Sequence, residues 1–378
     1  MMAKSTEQWA LDNLEAFTKK ASAELDVLGN QIPYIPEDNH YVDMGKKDIS
    51  WWTNGFWAGT LWQLYHFTKD EKYKQAAQNI EAQLDNAFTD FRGLDHDVGF
   101  MWTLTAVADY KETKSQAAWT RALHAATILA GRYNPKGHFI KAWNPENGLY
   151  RNGWVIIDSL MNAPLLYWAQ EETHDPKFGY IAKKHVNKIM KYNLRADGSV
   201  NHICVFDPEN GKLLETKGGQ GYGVGSCWSR GEAWAIYGSA LNYKHSKKAK
   251  YLNAAKRAAH YFISNISQTG FIPLVDFRAP KQPVEIDTTA AAIAASGLLE
   301  IAKYVPELEH DLYYDSAIKI LKALADKYVE LDPAKMGIVT HGSVNYVEGH
   351  ADEKPIIYGD YFYAEALLKV IGKELQVW

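Results

Sequence analysis

Hydrophobic residues recur along the whole chain with the period of an α-helix, whereas the alternation typical of β-strands is scarce. In one clear segment, a single apolar stripe is formed by Trp119, Ala122, Leu123, Ala126, Leu129 and Ala130. Such stripes predict about twelve helices, so the chain is expected to be nearly all-α. Their approximate bounds are 7–24, 53–67, 71–90, 98–111, 115–132, 155–170, 176–193, 229–245, 248–264, 287–303, 311–330 and 360–375.

The predicted helices are of two kinds. One kind is rich in small residues and apolar nearly all round, as in 290–299, which is typical of a helix covered on every side. Helices of this kind begin near Asn54, Asp97, Asp158, Arg230, Asp287 and Asp360. The helices that follow them carry Lys and Glu on one face. The starts recur about every 60 residues, which indicates an internal repeat.

A repeated hairpin of one buried and one half-exposed helix predicts an inner ring of six helices surrounded by an outer ring. This architecture, the (α/α)6 barrel, accounts for residues 1–378 as a single domain. The alternative is an open solenoid of helical hairpins, which does not require the inner helices to be apolar all round.

Inner helices of a closed ring all point the same way, so their N-termini meet at one end. The long predicted loops 134–153, 195–228, 266–286 and 332–359 lie at that end. Long loops over converging helix N-termini predict a functional site there, and the positive helix ends favour an anionic ligand.

Charge and composition exclude several classes of function. The chain has 41 basic and 45 acidic residues, a net charge of −4, and no lysine-rich face that indicates a nucleic-acid partner. It contains no apolar run of membrane-spanning length, and its charged start is unlike a signal peptide, so a cytoplasmic location is expected. The two cysteines, Cys204 and Cys227, argue against a disulfide framework and a cysteine zinc site. The glycosylation sequon at Asn265 is then expected to be unused.

Aromatic residues are abundant, with 13 Trp, 23 Tyr and 13 Phe. Many occur in loops beside Gly, Asn and Asp, where flat rings suit sugar binding. The alternative is that large side chains fill the space between large helices. Motifs for zinc proteases, serine hydrolases, nucleotide binding and Cys-x-x-Cys sites are absent from the sequence, so no metal and no cofactor are expected. The glycine-rich stretch 218–225 either lets backbone approach a ligand or is a flexible loop.

Two aspartates are candidates for acid and base chemistry. Asp158 lies between apolar residues, which disfavours ionisation and raises the pKa, as a general acid near neutral pH requires. Asp97 lies beside His96 and close to Gly99, a more polar setting that suits a charged carboxylate. Alternatively both aspartates are helix N-caps, the interpretation preferred for Asp287 and Asp360.

Several other polar and aromatic residues are candidates for contacts with a sugar or a water molecule. His202 and Gln220 offer neutral hydrogen-bond partners, and Arg230 offers a cation for a carboxylate. Stacking walls are offered by Trp52, Trp228 and Trp234. For each of them a structural role is the alternative.

Six segments of the chain resemble the unsaturated glucuronyl hydrolases, glycoside hydrolase family 88. They are 52–59, 94–100, 156–166, 206–211, 228–238 and 359–363, in the order in which the family has them. The resemblance implies a single-domain (α/α)6 barrel. It also implies removal of the 4,5-unsaturated uronic acid that polysaccharide lyases leave at the non-reducing end of oligosaccharides.

The resemblance further implies an unusual glycosidase chemistry. An acid protonates C4 of the vinyl ether, positive charge develops at C5 and the ring oxygen, water adds at C5, and the hemiketal opens. Asp158 matches the residue that acts as both acid and base, and Asp97 matches its assistant. By position, His202 and Gln220 would orient the uronate or the water. Trp52 and Trp234 would wall the pocket, and His96 and Arg230 would line it.

The chain departs from part of the family in the segment 343–354. Members that favour sulfated glycosaminoglycan fragments carry Ser-x-x-Ser-x-Lys there, an arrangement that this chain lacks. Glu348, Asp352 and Glu353 would repel a sulfate. Unsulfated or weakly sulfated disaccharides are therefore the expected substrates.

Three other functions remain open from the sequence. An unsaturated rhamnogalacturonyl hydrolase has the same fold, a sugar 2-epimerase would use paired histidines, and a non-catalytic toroid would only bind sugar. The expected partner is an unsaturated uronic-acid oligosaccharide, with no nucleic acid and no membrane. The oligomeric state is expected to be monomer or weak dimer.

Overall fold

Twelve long helices follow one another in the computed structural model, which describes residues 5–346 and 353–378. They are α1 (Thr6–Leu28), α2 (Phe56–Thr68), α3 (Glu71–Thr89), α4 (Val98–Trp102, continued through the π-helical turn Thr103–Val107 to Ala108–Thr113), α5 (Gln116–Gly131), α6 (Ala163–Thr173), α7 (Pro176–Tyr192), α8 (Ser229–Ser246), α9 (Ala249–Ile266), α10 (Thr288–Ala302), α11 (Glu307–Lys327) and α12 (Ile357–Val370). A short helix covers Met44–Lys47, and 3-10 turns cover Trp52–Gly55, Phe91–Gly93 and Ile157–Leu160.

The even-numbered helices form a closed inner ring. Each of α2, α4, α6, α8, α10 and α12 contacts the next, and α12 contacts α2. The odd-numbered helices from α3 to α11 pack outside the inner helix that precedes them, and α1 packs on α12. The (α/α)6 barrel is therefore confirmed, and the open solenoid is excluded because the first and last helices join.

Burial follows the predicted division into two kinds of helix. Every residue of α10 is buried, and α8 is buried from Ser229 to Asn242. The outer helix α9 buries one face, through Tyr251, Ala255, Ala259, Phe262 and their neighbours. Small inner-helix residues such as Gly297, whose added Cβ would lie 2.9 Å from Tyr237, allow inner helices to approach closely.

Short strands occur in the loops, although the sequence predicts few. They are β1 (Pro36–Glu37), β2 (His40–Tyr41), β3 (Tyr133–Asn134), β4 (Phe139–Ile140), β5 (Trp154–Ile156), β6 (Ile203–Phe206) and β7 (Leu213–Lys217). β1 pairs with β2, β3 pairs with β4, and β5, β6 and β7 form an antiparallel sheet. The helix predicted over 155–170 therefore begins only at Ala163, because β5 and a 3-10 turn occupy its first residues.

For the two aspartates predicted to be helix N-caps, one prediction is confirmed and the other is wrong. Asp287 caps α10, since its Oδ1 accepts the N–H of Thr289 at 3.0 Å. Asp360 does not cap α12, because that helix begins three residues earlier, at Ile357. Its Oδ1 accepts the backbone N–H of Val339 at 2.6 Å instead, which ties the preceding loop to the helix.

The end of the ring opposite the long loops is closed by residues 371–378. The Trp378 ring stacks on Phe362 at 6.3 Å between centroids and meets the edge of Phe100 at 6.0 Å. Lys244, in the last turn of α8, donates to the Trp378 carbonyl at 2.8 Å. The ring is thus plugged at this end and open toward the loops at the other. Of the helices in the described ranges, none combines the length and hydropathy that a bilayer crossing requires.

Glu232 in α8 provides a test of this buried ring. It is fully buried, and burial raises the pKa of its carboxyl to about 8. The folded protein therefore holds a proton that the unfolded chain releases above its ordinary pKa of 4.5, and stability is lost as pH rises from there to about 8. We expect Glu232→Gln to unfold at a higher temperature than the unmodified protein, with a gap that widens across this range.

The measurement is the thermal unfolding temperature as a function of pH. Glutamine can still accept the Cys227 thiol, which lies 3.1 Å from Glu232 Oε2. The exposed Glu209 is the control, and Glu209→Gln is expected to show no such widening. A constant gap for Glu232→Gln would contradict the assignment.

Candidate active site

A cavity of about 350 Å³ opens at the end of the ring where the inner helices begin. Loops that lead into inner helices supply its walls. Five residues predicted from the sequence line it, namely Trp52, Asp97, Asp158, Gln220 and Arg230. Its other lining residues include Tyr34, Asp48, Ser50, Trp51, Gly93, Asp95, Trp143, Ile156, Val344 and Tyr358.

Asp158 lies in the 3-10 turn between β5 and α6. The backbone N–H of Ile157 donates to the carbonyl of His202 at 3.1 Å, which holds the turn against β6. Asp158 Oδ1 is buried and has no hydrogen-bond partner among the described residues. Burial, and next the charge of Asp97, raise the pKa of Asp158 to about 7. A carboxyl with this pKa exchanges its proton near neutral pH, as the sequence predicts.

Asp97 occupies the N-cap position of α4, but its side chain does not cap the helix. Its Oδ1 accepts a hydrogen bond from Asn162 Nδ2 at 3.0 Å. Burial raises the pKa of Asp97 to about 6, and the Asn162 hydrogen bond opposes that rise. The two carboxyls therefore differ in surroundings, since Asp97 is held by an amide and Asp158 is not.

Asn162 connects the two loops that carry the aspartates. Its Oδ1 accepts the N–H of Phe100 at 2.8 Å, and its Nδ2 also donates to His96 Nδ1 at 2.9 Å. Gly99 makes room for this amide, because an added Cβ would lie 2.4 Å from Asn162 Oδ1. This role of Asn162 is not among the predictions from the sequence. The available signal was the position of Asn162 four residues after Asp158 in a matching segment.

His96 and His202 lie directly behind the carboxyls. The N–H of Gln220 donates to His202 Nδ1 at 3.0 Å, and His96 Nδ1 accepts from Asn162, so each neutral ring carries its proton on Nε2. His202 Nε2 lies 3.6 Å from Asp158 Oδ1, and His96 Nε2 lies 3.5 Å from Asp97 Oδ2. Burial lowers the pKa of His202 to about 3 and of His96 to about 4. Both rings are therefore neutral donors aimed at the aspartates.

Arg230, in the first turn of α8, is buried and held on several sides. Its Nη1 donates to Asp287 Oδ2 at 2.8 Å and to the carbonyl of Ser343, and its Nη2 donates to the carbonyl of Val344 at 2.5 Å. Gln220 Nε2 donates to the same Val344 carbonyl at 2.7 Å. Arg230 and Gln220 thereby fix the segment 343–344 as one wall of the cavity.

The predicted aromatic walls are partly corrected. Trp52 lines the cavity and packs against Phe56, Phe100 and Tyr358, with ring centroids 5.2 to 5.7 Å apart. Trp234 is fully buried and does not reach the cavity, because its ring packs below it against Phe100 at 5.1 Å. Trp228 is also buried, with its ring 4.5 Å from His202 and beside the Arg230 guanidinium.

Asp95 is a third carboxyl in the cavity that the sequence analysis did not single out. Burial and the charge of Asp97 raise the pKa of Asp95 to about 6. Asp95, His96 and Asp97 offer ligand atoms within 4.8 Å of one another. However, Asp95 Oδ1 already accepts the N–H of Asp97 at 2.8 Å, and His96 and Asp97 each accept from Asn162. These hydrogen bonds already use some of the atoms that a metal ion would need as ligands. The expectation of no metal stays a prediction.

Comparisons with known proteins agree with the resemblance drawn from the motifs. The model of Glycosyl Hydrolase Family 88 matches residues 29–363. The chain is 38% identical to the unsaturated glucuronyl hydrolase of Bacillus sp. (strain GL1) over 352 residues, 92% of each chain. It is 34% identical to the unsaturated chondroitin disaccharide hydrolase of Streptococcus pyogenes serotype M1, over 94% of this chain and 90% of that protein. A solved structure described as UGL with dGlcA-Glc-Rha-Glc superposes with a TM-score of 0.89 at 36% identity, covering 96% of each chain.

The Asn162 amide provides a test of the site electrostatics. Its hydrogen bond favours the charged form of Asp97, so Asn162→Ala should raise the pKa of Asp97 above about 6. The measurement is a pH titration of aspartate carboxyl signals by carbon-13 NMR, with the Asp97 signal assigned by its loss in Asp97→Asn. Asn86→Ala, an exposed change on α3, should leave the titration unmoved. An unchanged or lowered Asp97 pKa in Asn162→Ala would refute this role.

Proposed function

Because the chain belongs to glycoside hydrolase family 88, we propose that it is an unsaturated glucuronyl hydrolase that releases 4,5-unsaturated uronic acid from the non-reducing end of lyase-generated oligosaccharides. The observation that carries the proposal is the buried Asp158 carboxyl, with a pKa of about 7, in a cavity with Asp97. The named activities of the Bacillus and Streptococcus relatives support the substrate class. The oligosaccharide named with the UGL structure also supports it.

In the proposed reaction, the protonated Asp158 carboxyl gives its proton to C4 of the unsaturated sugar. The C4=C5 electron pair forms the new C–H bond, and positive charge develops at C5 and the ring oxygen. Water then adds at C5 and returns a proton to the Asp158 carboxylate, which acts as general base in this step. The resulting hemiketal opens and releases the remaining sugar. Asp158 thus regains its proton within one turnover, and the proposed steps use only side chains and water.

Asp97 is proposed to assist by its charge. A carboxylate near Asp158 raises the pKa of that acid, so the proton is present when the substrate binds. It also favours the positive charge that develops on the sugar ring. Because Asn162 holds Asp97 on one side, the Asp97 charge stays at a fixed place in the cavity.

Gln220 and Arg230 are proposed to bind and orient the substrate. His96 and His202, predicted from the sequence for the same role, are not among the described residues that line the cavity. We therefore propose that their Nε2–H groups orient the Asp97 and Asp158 carboxyls. Among the described lining residues Arg230 is the one cation, and it favours the substrate carboxylate through its charge. Trp52 offers an aromatic face to the sugar ring. Trp234 is fully buried against Phe100 and Phe362 and does not line the cavity, so we assign it no contact with substrate.

We also propose a cytoplasmic location and a monomer or weak dimer. The free, buried thiols of Cys204 and Cys227 support a location in which thiols stay reduced.

Replacement of Asp158 tests the assigned acid. Asp158→Asn should lose at least about a hundredfold in kcat because proton transfer to C4 is removed. The assay mixes the protein with unsaturated chondroitin disaccharide and follows the ultraviolet absorbance of the conjugated double bond. A fluorescence or calorimetric titration should still detect binding of the disaccharide to the variant.

The same assay separates the alternatives. No loss of absorbance with any unsaturated uronic-acid disaccharide would reject the hydrolase and favour a sugar-binding toroid or an epimerase. Faster turnover of the pectin-derived unsaturated disaccharide would favour a rhamnogalacturonyl hydrolase. Full activity of Asp158→Asn would remove Asp158 from the acid role.

Unsulfated disaccharides are proposed as the preferred substrates. The Ser343 hydroxyl is buried and donates to the Asn345 carbonyl at 2.9 Å, so it is not free to bind a sulfate. Glu353 is exposed, and its charge would repel one. Glu348 and Asp352, also part of this prediction, lie outside the described residues.

Parallel assays with unsulfated and 6-sulfated chondroitin disaccharides test this preference. We expect the unsulfated substrate to have the higher kcat/KM, and Glu353→Gln to narrow the difference by about twofold, as for one exposed charge. Glu307→Gln, at the start of an outer helix, should leave the ratio unchanged. Equal or faster turnover of the sulfated disaccharide by the unmodified protein would contradict the preference.

A further inference from the structure

A second cavity, of about 560 Å³, lies next to the active-site cavity. Its walls come from the 3-10 turn Phe91–Gly93, the end of α5 at Gly131, and the loop that begins at Lys141. Outer helices run opposite to inner ones, so the end of α5 lies at the same end of the ring as the starts of the inner helices. Both cavities therefore belong to the loop end of the barrel.

The two cavities share two segments of backbone. Gly93 lines the active-site cavity, whereas its neighbours Arg92 and Leu94 line the second one. In the facing loop, Trp143 lines the active-site cavity and Asn144 the second one. Asn144 Nδ2 donates to the carbonyls of Arg92 and Leu94 at 2.9 Å, which binds the two segments together. An oligosaccharide that extends from the active-site cavity into the second one would cross these two segments.

The second cavity is basic. Arg92, Arg132 and Lys141 line it, and none of the described residues in its lining is acidic. Arg92 is paired with Asp90 at 2.7 Å. Arg132 donates to neutral acceptors, namely the carbonyls of Leu94, Lys141 and Ala142 and the Asn144 amide oxygen.

Lys141 is the cation with the weakest pairing in this cavity. Its Nζ donates to the neutral Asn152 amide at 3.4 Å. Partial burial, and next the charge of Arg132, lower the pKa of Lys141. The charges of Asp95 and Asp97 favour the protonated form of Arg132. By contrast, no carboxylate of the described residues contributes to the pKa of Lys141. An anion that enters the second cavity would therefore favour the charged form of Lys141.

We infer that the second cavity is a distal subsite for the anionic group of a sugar beyond the scissile linkage, and that Lys141 is its principal contact. This inference rests on the proposed function and extends it to longer substrates. Phe91, 59% exposed at the rim, supplies an aromatic face for the same sugar.

The chemistry of the substrate class fits this charge. In polysaccharides that alternate a uronic acid with a second sugar, a lyase product longer than a disaccharide carries another carboxylate on its third sugar. The first sugar occupies the active-site cavity, and the second spans the rim at Gly93. The carboxylate of the third sugar is then the anion available to Lys141, while a disaccharide carries only the carboxylate of its first sugar, which lies in the active-site cavity.

The test compares an unsaturated hyaluronan tetrasaccharide with the disaccharide, both unsulfated. For the unmodified protein we expect a higher kcat/KM with the tetrasaccharide. Lys141→Gln should lower the tetrasaccharide kcat/KM by about threefold to fivefold, as expected for one solvent-accessible ion pair, and leave the disaccharide unchanged. Lys177→Gln, an exposed change at the opposite end of the ring, is the matched control.

Each outcome bears on one claim. Equal losses with both substrates in Lys141→Gln, or no loss with the tetrasaccharide, would overturn the subsite. A change in disaccharide turnover on adding inorganic phosphate, abolished by Lys141→Gln, would indicate a site for free anions and also overturn it. Failure of the unmodified protein to act on either substrate would instead refute the proposed function.

Discussion

Burial of the inner helices on every side is the constraint on which the rest of the structure depends. Because α4 is buried from Val98 to Asp109 and α6 from Ala163 to Ala169, the side chains just before these helices have water only on the loop side of the ring. Carboxyls placed there lose hydration, and their pKa values rise to about 6 for Asp97 and about 7 for Asp158. Titration of these carboxyls near neutral pH is thus a consequence of where the ring puts them.

Much of the fold was predictable because helix period and burial are local properties of a sequence. The division into fully apolar and one-sided helices identified the ring, since a helix such as α10 has no polar face to expose. Other features depend on partners distant in sequence. The pairing of α1 with α12 joins the two ends of the chain. β5 pairs with β6, which lies much later in the chain, at Ile203–Phe206. The residues 155–170 taken by themselves therefore predict a helix, because they do not show this pairing.

The candidate site likewise contains residues that local sequence singles out and residues whose roles depend on distant partners. The sequence singles out Asp158 and Asp97, and the structure places both in the cavity. The more polar setting predicted for Asp97 is wrong, because Asp97 is buried and burial raises its pKa. Asn162 and Asp95 were missed, since their roles arise from contacts between loops that the sequence does not display. Trp234 was misplaced for a related reason. Whether a tryptophan near the start of an inner helix faces the cavity or the interior of the ring depends on which helical turn it occupies. Trp234 faces the interior, where its ring packs against Phe100.

Charge in the cavity poses the remaining physical question, because one buried carboxyl, that of Asp97, and two partly buried ones, those of Asp95 and Asp158, are an unusual setting for an anionic sugar. Arg230 alone does not neutralise them, since its N–H groups are engaged by Asp287 and the carbonyls of 343–344. Protons can do so. A uronate that enters beside Asp158 favours its neutral form, just as Asp97 already does, and raises the pKa of that acid further. Under the proposed function, the substrate's own charge therefore helps to keep the proton that the reaction needs on Asp158.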